Sequence, residues 1–191
     1  MDRRTALRVI GWSAVGPGLV LAGCADMDAP PEPPGLAAGG DYRLGAGDAV
    51  RITVFGEQPL SGEFRVDGSG RIAMPLIGEV PAKDRTTREL EREIARRLSP
   101  AYVRDAKVAA EVLTFRPFFI LGEVRTPGQY PYVSGMTALS AVAMAGGFTY
   151  RARQDVVFVS RGRDPERKVY KAPITTPVMP DDVVRIAERY F

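Results

Sequence analysis

Short stretches in which apolar and polar residues alternate recur along the sequence from residue 48 onward. The first stretch contains Val50, Ile52 and Val54, and this period of two is typical of a strand with one buried face. The same pattern predicts further strands at residues 63–66, 71–76, 108–112, 118–124, 156–160, 168–171 and 183–186. Asp67-Gly68-Ser69-Gly70 lies between two of these stretches and predicts a hairpin that joins them.

Two helical patterns interrupt the strands. Thr86 is expected to begin the first, because Thr86 and Glu89 have the spacing of a capping box, in which each side chain binds a backbone N–H of the other residue. The apolar residues of this helix recur every four positions and form one stripe: Leu90, Ile94 and Leu98. Thr137 is expected to cap a second, shorter helix that ends at Gly146-Gly147.

The first 24 residues have the composition of a secretory targeting segment. Arg3, Arg4 and Arg8 precede a mostly apolar stretch, which is shorter than the roughly 20 apolar residues that a bilayer-spanning helix needs. The stretch ends in Leu21-Ala22-Gly23-Cys24, which resembles the lipobox of bacterial lipoproteins. This resemblance implies cleavage before Cys24 and lipid attachment to its sulfur. We therefore interpret residues 1–23 as a signal peptide, with the general and twin-arginine secretion routes both open.

Prolines and glycines are frequent in residues 25–40 and predict that residues 24–40 form a flexible, semi-extended tether behind the lipidated cysteine. The folded part is expected to begin near Asp41. A boundary near Arg116-Pro117 divides it into residues 41–115 and 116–191. The fold prediction is therefore α+β, with two small mixed modules after a signal peptide and a Pro/Gly-rich tether.

The composition excludes most kinds of active site. The chain has no histidine and one cysteine, which removes histidine-based catalysis, histidine-ligated metals and intrachain disulfides. We therefore predict a protein that is not an enzyme and needs no cofactor. The net charge is +3, but residues 24–191 contain 23 basic and 22 acidic residues. Nucleic acid is not a predicted partner, because its phosphates require clustered basic side chains.

Several short motifs occur in an order that resembles one bacterial family. Those of the first module resemble the polysaccharide export domain: Leu44-Gly45-Ala46-Gly47-Asp48, residues 60–67, Pro75-Leu76-Ile77-Gly78 and the helix after Thr86. Those of the second resemble the soluble-ligand-binding β-grasp module that follows it in that family: Gly122-Glu123-Val124, Pro127-Gly128-Gln129-Tyr130, Gly135-Met136-Thr137 and Ala145-Gly146-Gly147. The resemblance covers residues 41–191 and also includes the lipobox.

The resemblance implies a lipid-anchored outer-membrane protein that faces the periplasm and forms a ring around a channel for capsular polysaccharide or exopolysaccharide. The partners that it implies are the polysaccharide, further copies of the chain, and an inner-membrane polysaccharide copolymerase or tyrosine kinase. The sequence stops directly after its last predicted strand, so we expect a short form without the family's C-terminal pore helix. A separate outer-membrane pore protein would then complete the path. The predicted function is polysaccharide transport without covalent chemistry.

Five side chains are candidates for functional contacts. Cys24 is the predicted lipid attachment site. Tyr130 and Tyr132 could stack on sugar rings or pack across neighbouring strands. Arg161 and Arg163 belong to a basic hairpin end that could contact an anionic glycan or a neighbouring subunit, or could be an ordinary solvated turn.

Two other functions are compatible with parts of the sequence. A scaffold lipoprotein without a transport function would use the β-grasp module to bind a glycan or a partner protein. A glycan hydrolase would need two carboxylates at a fixed separation in a cleft, and no pair in the sequence stands out. Ring formation distinguishes transport from scaffolding, and activity on polymer tests the hydrolase.

Overall fold

The computed structural model describes residues 29–33, 41–99 and 101–189. The predicted signal peptide, Cys24 and most of the predicted tether lie outside these residues. Within them, two α-helices and ten strands in three sheets confirm the α+β prediction. The strands are β1 (Ala49–Val54), β2 (Gly62–Arg65), β3 (Arg71–Met74), β4 (Gly78–Pro81), β5 (Val108–Thr114), β6 (Phe118–Gly122), β7 (Gly128–Tyr130), β8 (Val156–Ser160), β9 (Val169–Pro173) and β10 (Val183–Ile186). The helices are α1 (Thr87–Leu98) and α2 (Ala138–Met144).

The first module is built on an antiparallel sheet with the strand order β2-β1-β5. The alternation predicted for β1 is confirmed, because one face of this strand is buried: Val50, Ile52 and Val54. Strands β3 and β4 form a separate two-stranded sheet that contributes Ile72 and Val80 to the same core. Both sheets of this module therefore share one core.

Helix α1 covers the core of the first module. Its predicted capping box is present, since the Glu89 N–H donates to Thr86 Oγ1 (3.2 Å) and the Thr86 N–H donates to Glu89 Oε2 (2.8 Å). The predicted apolar stripe is fully buried: Leu90, Ile94 and Leu98. Burial of each such side chain contributes about 1.5–3 kcal/mol, so packing stabilises this helix more than its cap does.

The hairpin predicted across Asp67-Gly68-Ser69-Gly70 is wrong in its strand pairing. The turn itself forms, since the Gly70 N–H donates to the Asp67 carbonyl (2.9 Å) and Gly70 has a φ of 80°. However, β2 before the turn pairs with β1, and β3 after it pairs with β4. Pairing with β4 places Ile72 opposite Val80, and both side chains are fully buried. Turn chemistry thus predicts the bend, whereas burial determines the pairing.

The second module is a five-stranded sheet with the order β7-β6-β10-β8-β9, in which β6 and β10 are parallel. Helix α2 packs against this sheet and contributes Ala138, Ala141 and Val142 to a second core. The predicted Thr137 cap is confirmed, because the Ser140 N–H donates to Thr137 Oγ1 (3.4 Å). Gly146 and Gly147 end the helix with φ values of 82° and 91°, a conformation that glycine adopts without strain.

Residues 29–33 do not form a free tether, in contrast to the prediction for this part of the chain. They lie along the edge of β9, where Pro31 pairs in parallel with Lys171. Glu32 is buried there against Arg161. Proline is rare in strands because it has no N–H to donate, so this proline-rich composition did not indicate the docking.

Candidate functional site at the module junction

Where the two modules meet, one buried carboxylate accepts hydrogen bonds from both. Oδ2 of Asp48 accepts from the Gly45 N–H (2.8 Å) and from the Tyr42 hydroxyl (2.5 Å). Its Oδ1 accepts from the Arg116 N–H (3.1 Å), and Arg116 Nε lies 3.4 Å from the same oxygen. Asp48 is fully buried, and a buried carboxylate is tolerated only with such partners. Asp48 therefore connects the turn before β1 to the start of the second module.

Tyr42 and Arg116 enclose this carboxylate. Burial raises the pKa of Tyr42 above its ordinary value, and the hydrogen bond to Asp48 raises it further, so the hydroxyl remains a neutral donor at physiological pH. Nη2 of Arg116 donates to the Arg43 carbonyl (3.4 Å). Gly45 gives the guanidinium its space, because a Cβ at this position would lie 2.4 Å from Arg116 Nη1.

Aromatic rings extend the contact between the modules. The Tyr42 ring meets Phe115 edge to face, with centroids 4.9 Å apart, and Phe115 meets Tyr132 in the same way at 5.3 Å. Each such pair contributes about 0.5–1.5 kcal/mol beyond its burial. Tyr42 belongs to the first module, Phe115 to the connection and Tyr132 to the second module. Polar and aromatic contacts therefore hold the modules in one arrangement.

A cleft of about 530 Å³ opens beside the junction and is lined by both modules. Its basic side chains are Arg43, Lys83, Arg116, Arg163 and Arg167. Its acidic side chains are Asp41, Asp84, Asp164, Asp181 and Asp182. Because the two signs are equally represented, the cleft offers many hydrogen-bonding groups without a strong net field.

Asp181 shapes the side of the cleft that the second module forms. It has a φ of 69°, a left-handed conformation that aspartate adopts more readily than most residues. Its N–H donates to the Pro117 carbonyl (2.9 Å), and its Oδ2 accepts from Arg167 Nη2 (2.8 Å). These bonds fix the turn before β10 against the connection between the modules.

The structure places Tyr130 and Tyr132 in packing contacts. Tyr130 lies opposite Phe118 across β6 and β7, with stacked rings 6.1 Å apart, and its hydroxyl donates to the Thr126 carbonyl (2.7 Å). Tyr132 contacts Phe115 at the junction. Both tyrosines are half-buried against the second core. Their stacking on sugar rings remains a prediction.

Arg161 and Arg163 lie in different surroundings. The expectation that Arg161 belongs to an exposed hairpin end is wrong, because its side chain is 1% exposed and is ion-paired with Glu32 and Asp182. Arg163 is exposed and lines the cleft. Of the four predicted contact residues, Arg163 is therefore the one that lines the cleft. Its contact with a glycan or a neighbouring subunit remains a prediction.

The described part of the chain contains neither a metal-binding cluster nor a helix that could span a membrane. No group of three or more cysteine, aspartate or glutamate side chains is placed there to hold a metal ion. Neither α1 nor α2 combines the length and the apolar surface that crossing a bilayer requires.

The network around Asp48 was only partly predictable. Within its own turn, Asp48 accepts from the N–H of the preceding Gly45, a local bond of the kind that aspartate often makes in turns. Its contact with Arg116 joins residues 68 positions apart, and no local pattern reports such a distance. The available sign was the position of Arg116 beside Pro117, where the modules were expected to divide. A charged residue at such a boundary is a candidate for a contact between modules.

Two family models match the chain, one for each side of the junction. The model described as polysaccharide biosynthesis/export protein matches residues 36–113. The SLBB domain model matches residues 117–173. The segment between the two matches contains Phe115 and Arg116, which make the contacts described above.

Three curated proteins show the range of similarity. The exopolysaccharide production protein ExoF of Rhizobium meliloti is 36% identical over 124 residues, which are 59% of this chain and 30% of ExoF. The polysialic acid transport protein KpsD of Escherichia coli is 28% identical over 109 residues, 56% of this chain and 20% of KpsD. The EPS I polysaccharide export outer membrane protein EpsA of Ralstonia nicotianae is 30% identical over 140 residues, 60% of this chain and 36% of EpsA. The chain thus matches little more than a third of these relatives' length at most.

Proposed function

Because the chain belongs to the bacterial polysaccharide export family, we propose that it is a subunit of a machine that exports capsular polysaccharide or exopolysaccharide through the cell envelope. The relatives' names refer to exopolysaccharide production, polysialic acid transport and polysaccharide export, which supports polysaccharide as the cargo. The subunit assembles with further copies of itself and lets the polymer pass, without covalent chemistry. These relatives do not favour the alternative of a scaffold lipoprotein without a transport function.

The fixed junction between the two modules is the observation that carries this proposal. Asp48 and the Tyr42-Phe115-Tyr132 contacts hold an export module and a β-grasp module in one arrangement. A subunit with a fixed shape can repeat one heterologous contact around a rotation axis, and such contacts close into a ring. We divide the subunit at residue 115, with modules at 41–115 and 116–191.

A ring is needed because one subunit cannot enclose a polymer. The junction cleft has a volume of about 530 Å³, which lies within the range of small-molecule pockets. A channel must therefore form between subunits around a central axis. Arg163 is our candidate in the cleft for contact with the glycan or with the neighbouring subunit.

The subunit is proposed to face the periplasm from the outer membrane, where acyl chains on Cys24 hold it. Its further partners are an inner-membrane polysaccharide copolymerase or tyrosine kinase and a separate outer-membrane pore protein. The name of one relative includes the outer membrane, which supports an envelope location. Replacing Cys24 by Ser tests the anchor: acyl labelling and membrane fractionation should both be lost. Unchanged labelling would contradict lipid attachment at this residue.

The export function is tested by deletion of the gene and complementation in the same strain. We expect secreted polysaccharide to disappear on deletion and to return with the intact gene. Crosslinking in intact cells should give a ladder of multimers that ends at one closed species. Secretion that survives the deletion, together with monomers alone after crosslinking, would reject the export ring. Crosslinking is carried out in the complemented strain, so assembly and restored secretion are measured in the same cells.

A further inference from the structure

Residues 29–33 add a short extended segment to the edge of β9. The Lys171 N–H donates to the Pro30 carbonyl (2.9 Å), and the Glu32 N–H donates to the Lys171 carbonyl (3.3 Å). Pro31 therefore pairs with Lys171 in a parallel arrangement. Peptides that bind to exposed sheet edges use the same main-chain hydrogen bonds for affinity and use side-chain pockets for specificity.

Such a pocket lies beside this edge and holds Glu32. The side chains of Glu32 and Arg161 are 4% and 1% exposed. Nε and Nη2 of Arg161 donate to the two carboxylate oxygens, with a distance of 2.7 Å from Nη2 to Oε2. The Thr176 hydroxyl lies 3.4 Å from the same Oε2. A guanidinium that binds both oxygens of a carboxylate recognises its shape as well as its charge.

Arg161 is held in position from its other side. Its Nη1 donates to Asp182 Oδ2 (2.5 Å) and to the Pro177 carbonyl (2.8 Å). The N–H groups of Gly162 (3.0 Å) and Met179 (2.8 Å) fix the Asp182 carboxylate. The guanidinium is therefore already oriented toward the β9 edge. Without a carboxylate there, its Nε would lose its acceptor inside the protein, which is costly.

The prolines around Glu32 prepare the segment for this contact. Pro30, Pro31 and Pro33 each fix φ near −65°, so the segment loses less conformational freedom when it docks. Among residues 30–33, only Glu32 has a backbone N–H, which it donates to the Lys171 carbonyl. The ligand that fits this site is thus an extended, proline-flanked segment with one carboxylate.

We propose that the β9 edge and the Arg161 pocket form a strand-acceptor site whose resident ligand, residues 30–33, is a latch that sets the reach of the membrane tether. This inference rests on the lipid attachment at Cys24 proposed above. With the latch closed, the five residue steps from Cys24 to Ala29 span at most about 18 Å. With the latch open, the 17 steps from Cys24 to Asp41 span up to about 60 Å. A closed latch keeps the folded modules close to the membrane.

The docking is tested in the full chain in native membranes, where acylation blocks the Cys24 thiol. Pro31→Cys and Lys171→Cys replace two directly paired residues, and such neighbours have the Cα separation that a disulfide needs. Mild oxidation should join them within one chain. Adding Glu32→Ala should lower the disulfide yield roughly tenfold, because a charge-assisted pair is lost. Glu111→Ala, an exposed matched control, should leave the yield unchanged.

The outcomes of this crosslinking are distinct. Failure of the parent pair to crosslink would overturn the docking, and a disulfide between chains would overturn a latch within one chain. An unchanged yield with Glu32→Ala would overturn the function of the Arg161 pocket. Acyl labelling of the same variants reports the anchor separately. Loss of labelling therefore contradicts the proposed lipid attachment and not the docking of Glu32.

The tether length is measured by energy transfer from a dye at position 104 to an acceptor in the lipid. We expect Glu32→Ala to lower the transfer, since the modules can then move away from the membrane. In the fraction of Glu32→Ala protein that has formed the Pro31→Cys/Lys171→Cys disulfide, separated from the rest before measurement, the transfer should be restored, which separates tether release from loss of stability. Equal transfer in all three proteins would overturn the latch.

Discussion

Asp48 is the residue on which the polar contacts between the two modules converge. Its carboxylate accepts from Gly45 and Tyr42 on one side of the junction and from Arg116 on the other. Because the carboxylate is fully buried, its charge is balanced by these groups and not by water. Loss of that charge leaves the half-buried Arg116 guanidinium with a weaker partner.

Replacing Asp48 by Asn tests this arrangement. We expect the free energy of unfolding to fall by about 3 kcal/mol, because a fully buried carboxylate with three hydrogen-bond donors loses its charge. Urea denaturation measures the change. Asp155→Asn is the matched control, since its pair with Arg153 is exposed to solvent and should contribute little to stability. Equal losses in the two variants would contradict the importance of burial at Asp48.

Two glycines with positive φ separate backbone strain from steric overlap. A Cβ at Gly122 (φ 86°) would lie 2.0 Å from the Ile186 carbonyl oxygen, whereas a Cβ at Gly147 (φ 91°) would have no atom within 4 Å. Gly147→Ala should therefore cost about 1 kcal/mol for its conformation alone. Gly122→Ala should cost about 3 kcal/mol or more, because β6 must also move away from β10. Thermal melts compare the two, and equal shifts would contradict the overlap.

Helix α1 contains a local charge network around Glu93. Glu93 accepts from Arg96 Nη2 (2.8 Å to each oxygen) and from Arg97 Nε (2.6 Å), and Arg85 lies 3.4 Å from it. The hydrogen bonds from Arg96, followed by those from Arg97, lower the pKa of Glu93 to about 2. Glu93 itself is buried, so its carboxylate depends on these arginines to offset the loss of contact with water.

This network makes the stability of the first module depend on pH. The pKa of Glu93 is lower in the folded chain than the ordinary value near 4.5, so its contribution is complete above that value and is lost as the pH falls toward 2. Glu93→Gln should lower the free energy of unfolding by about 1–2 kcal/mol at pH 7, since exposed arginines screen part of the interaction. The difference from the parent should vanish near pH 2. Urea denaturation at several pH values measures this, and a constant difference would contradict the assignment.

The elements were predictable to the extent that their signals are local. The alternation of β1, the capping box of α1 and the Thr137 cap were read correctly because each depends on neighbours in sequence. Strands β4 and β7 were not predicted, since each is short and begins at a glycine, a residue that is typical of turns. The pocket around Arg161 was also missed. It joins Glu32 to a residue 129 positions away, and a proline-rich composition concealed the segment.

At the scale of the whole molecule, the junction couples two modules that each have a core of their own. Phe115 lies between them and touches a ring on each side, Tyr42 and Tyr132. Separate cores would allow separate unfolding if these contacts were weak. We therefore expect the junction contacts to make the two modules unfold together.

Calorimetry of the Phe115→Ala variant tests this coupling. The parent protein should unfold in one transition, and the variant should show two, because the aromatic contacts between the modules are lost. Phe55→Ala is the matched control, since Phe55 is largely exposed and should leave the single transition unchanged. A single transition at a lower temperature in Phe115→Ala would mean that this ring stabilises the fold without coupling the modules.

The segment that docks on β9 also determines whether another chain can pair with that edge of the sheet. A strand at a sheet edge presents free N–H and carbonyl groups on which another chain can pair and begin an aggregate. Pro30 and Glu32 direct their main-chain bonds to Lys171, so the positions that alternate with them, Pro31 and Pro33, face outward. Neither proline has an N–H to donate. The added segment therefore ends the growth of the sheet, and the exposed edge is a poor template for amyloid-like stacking.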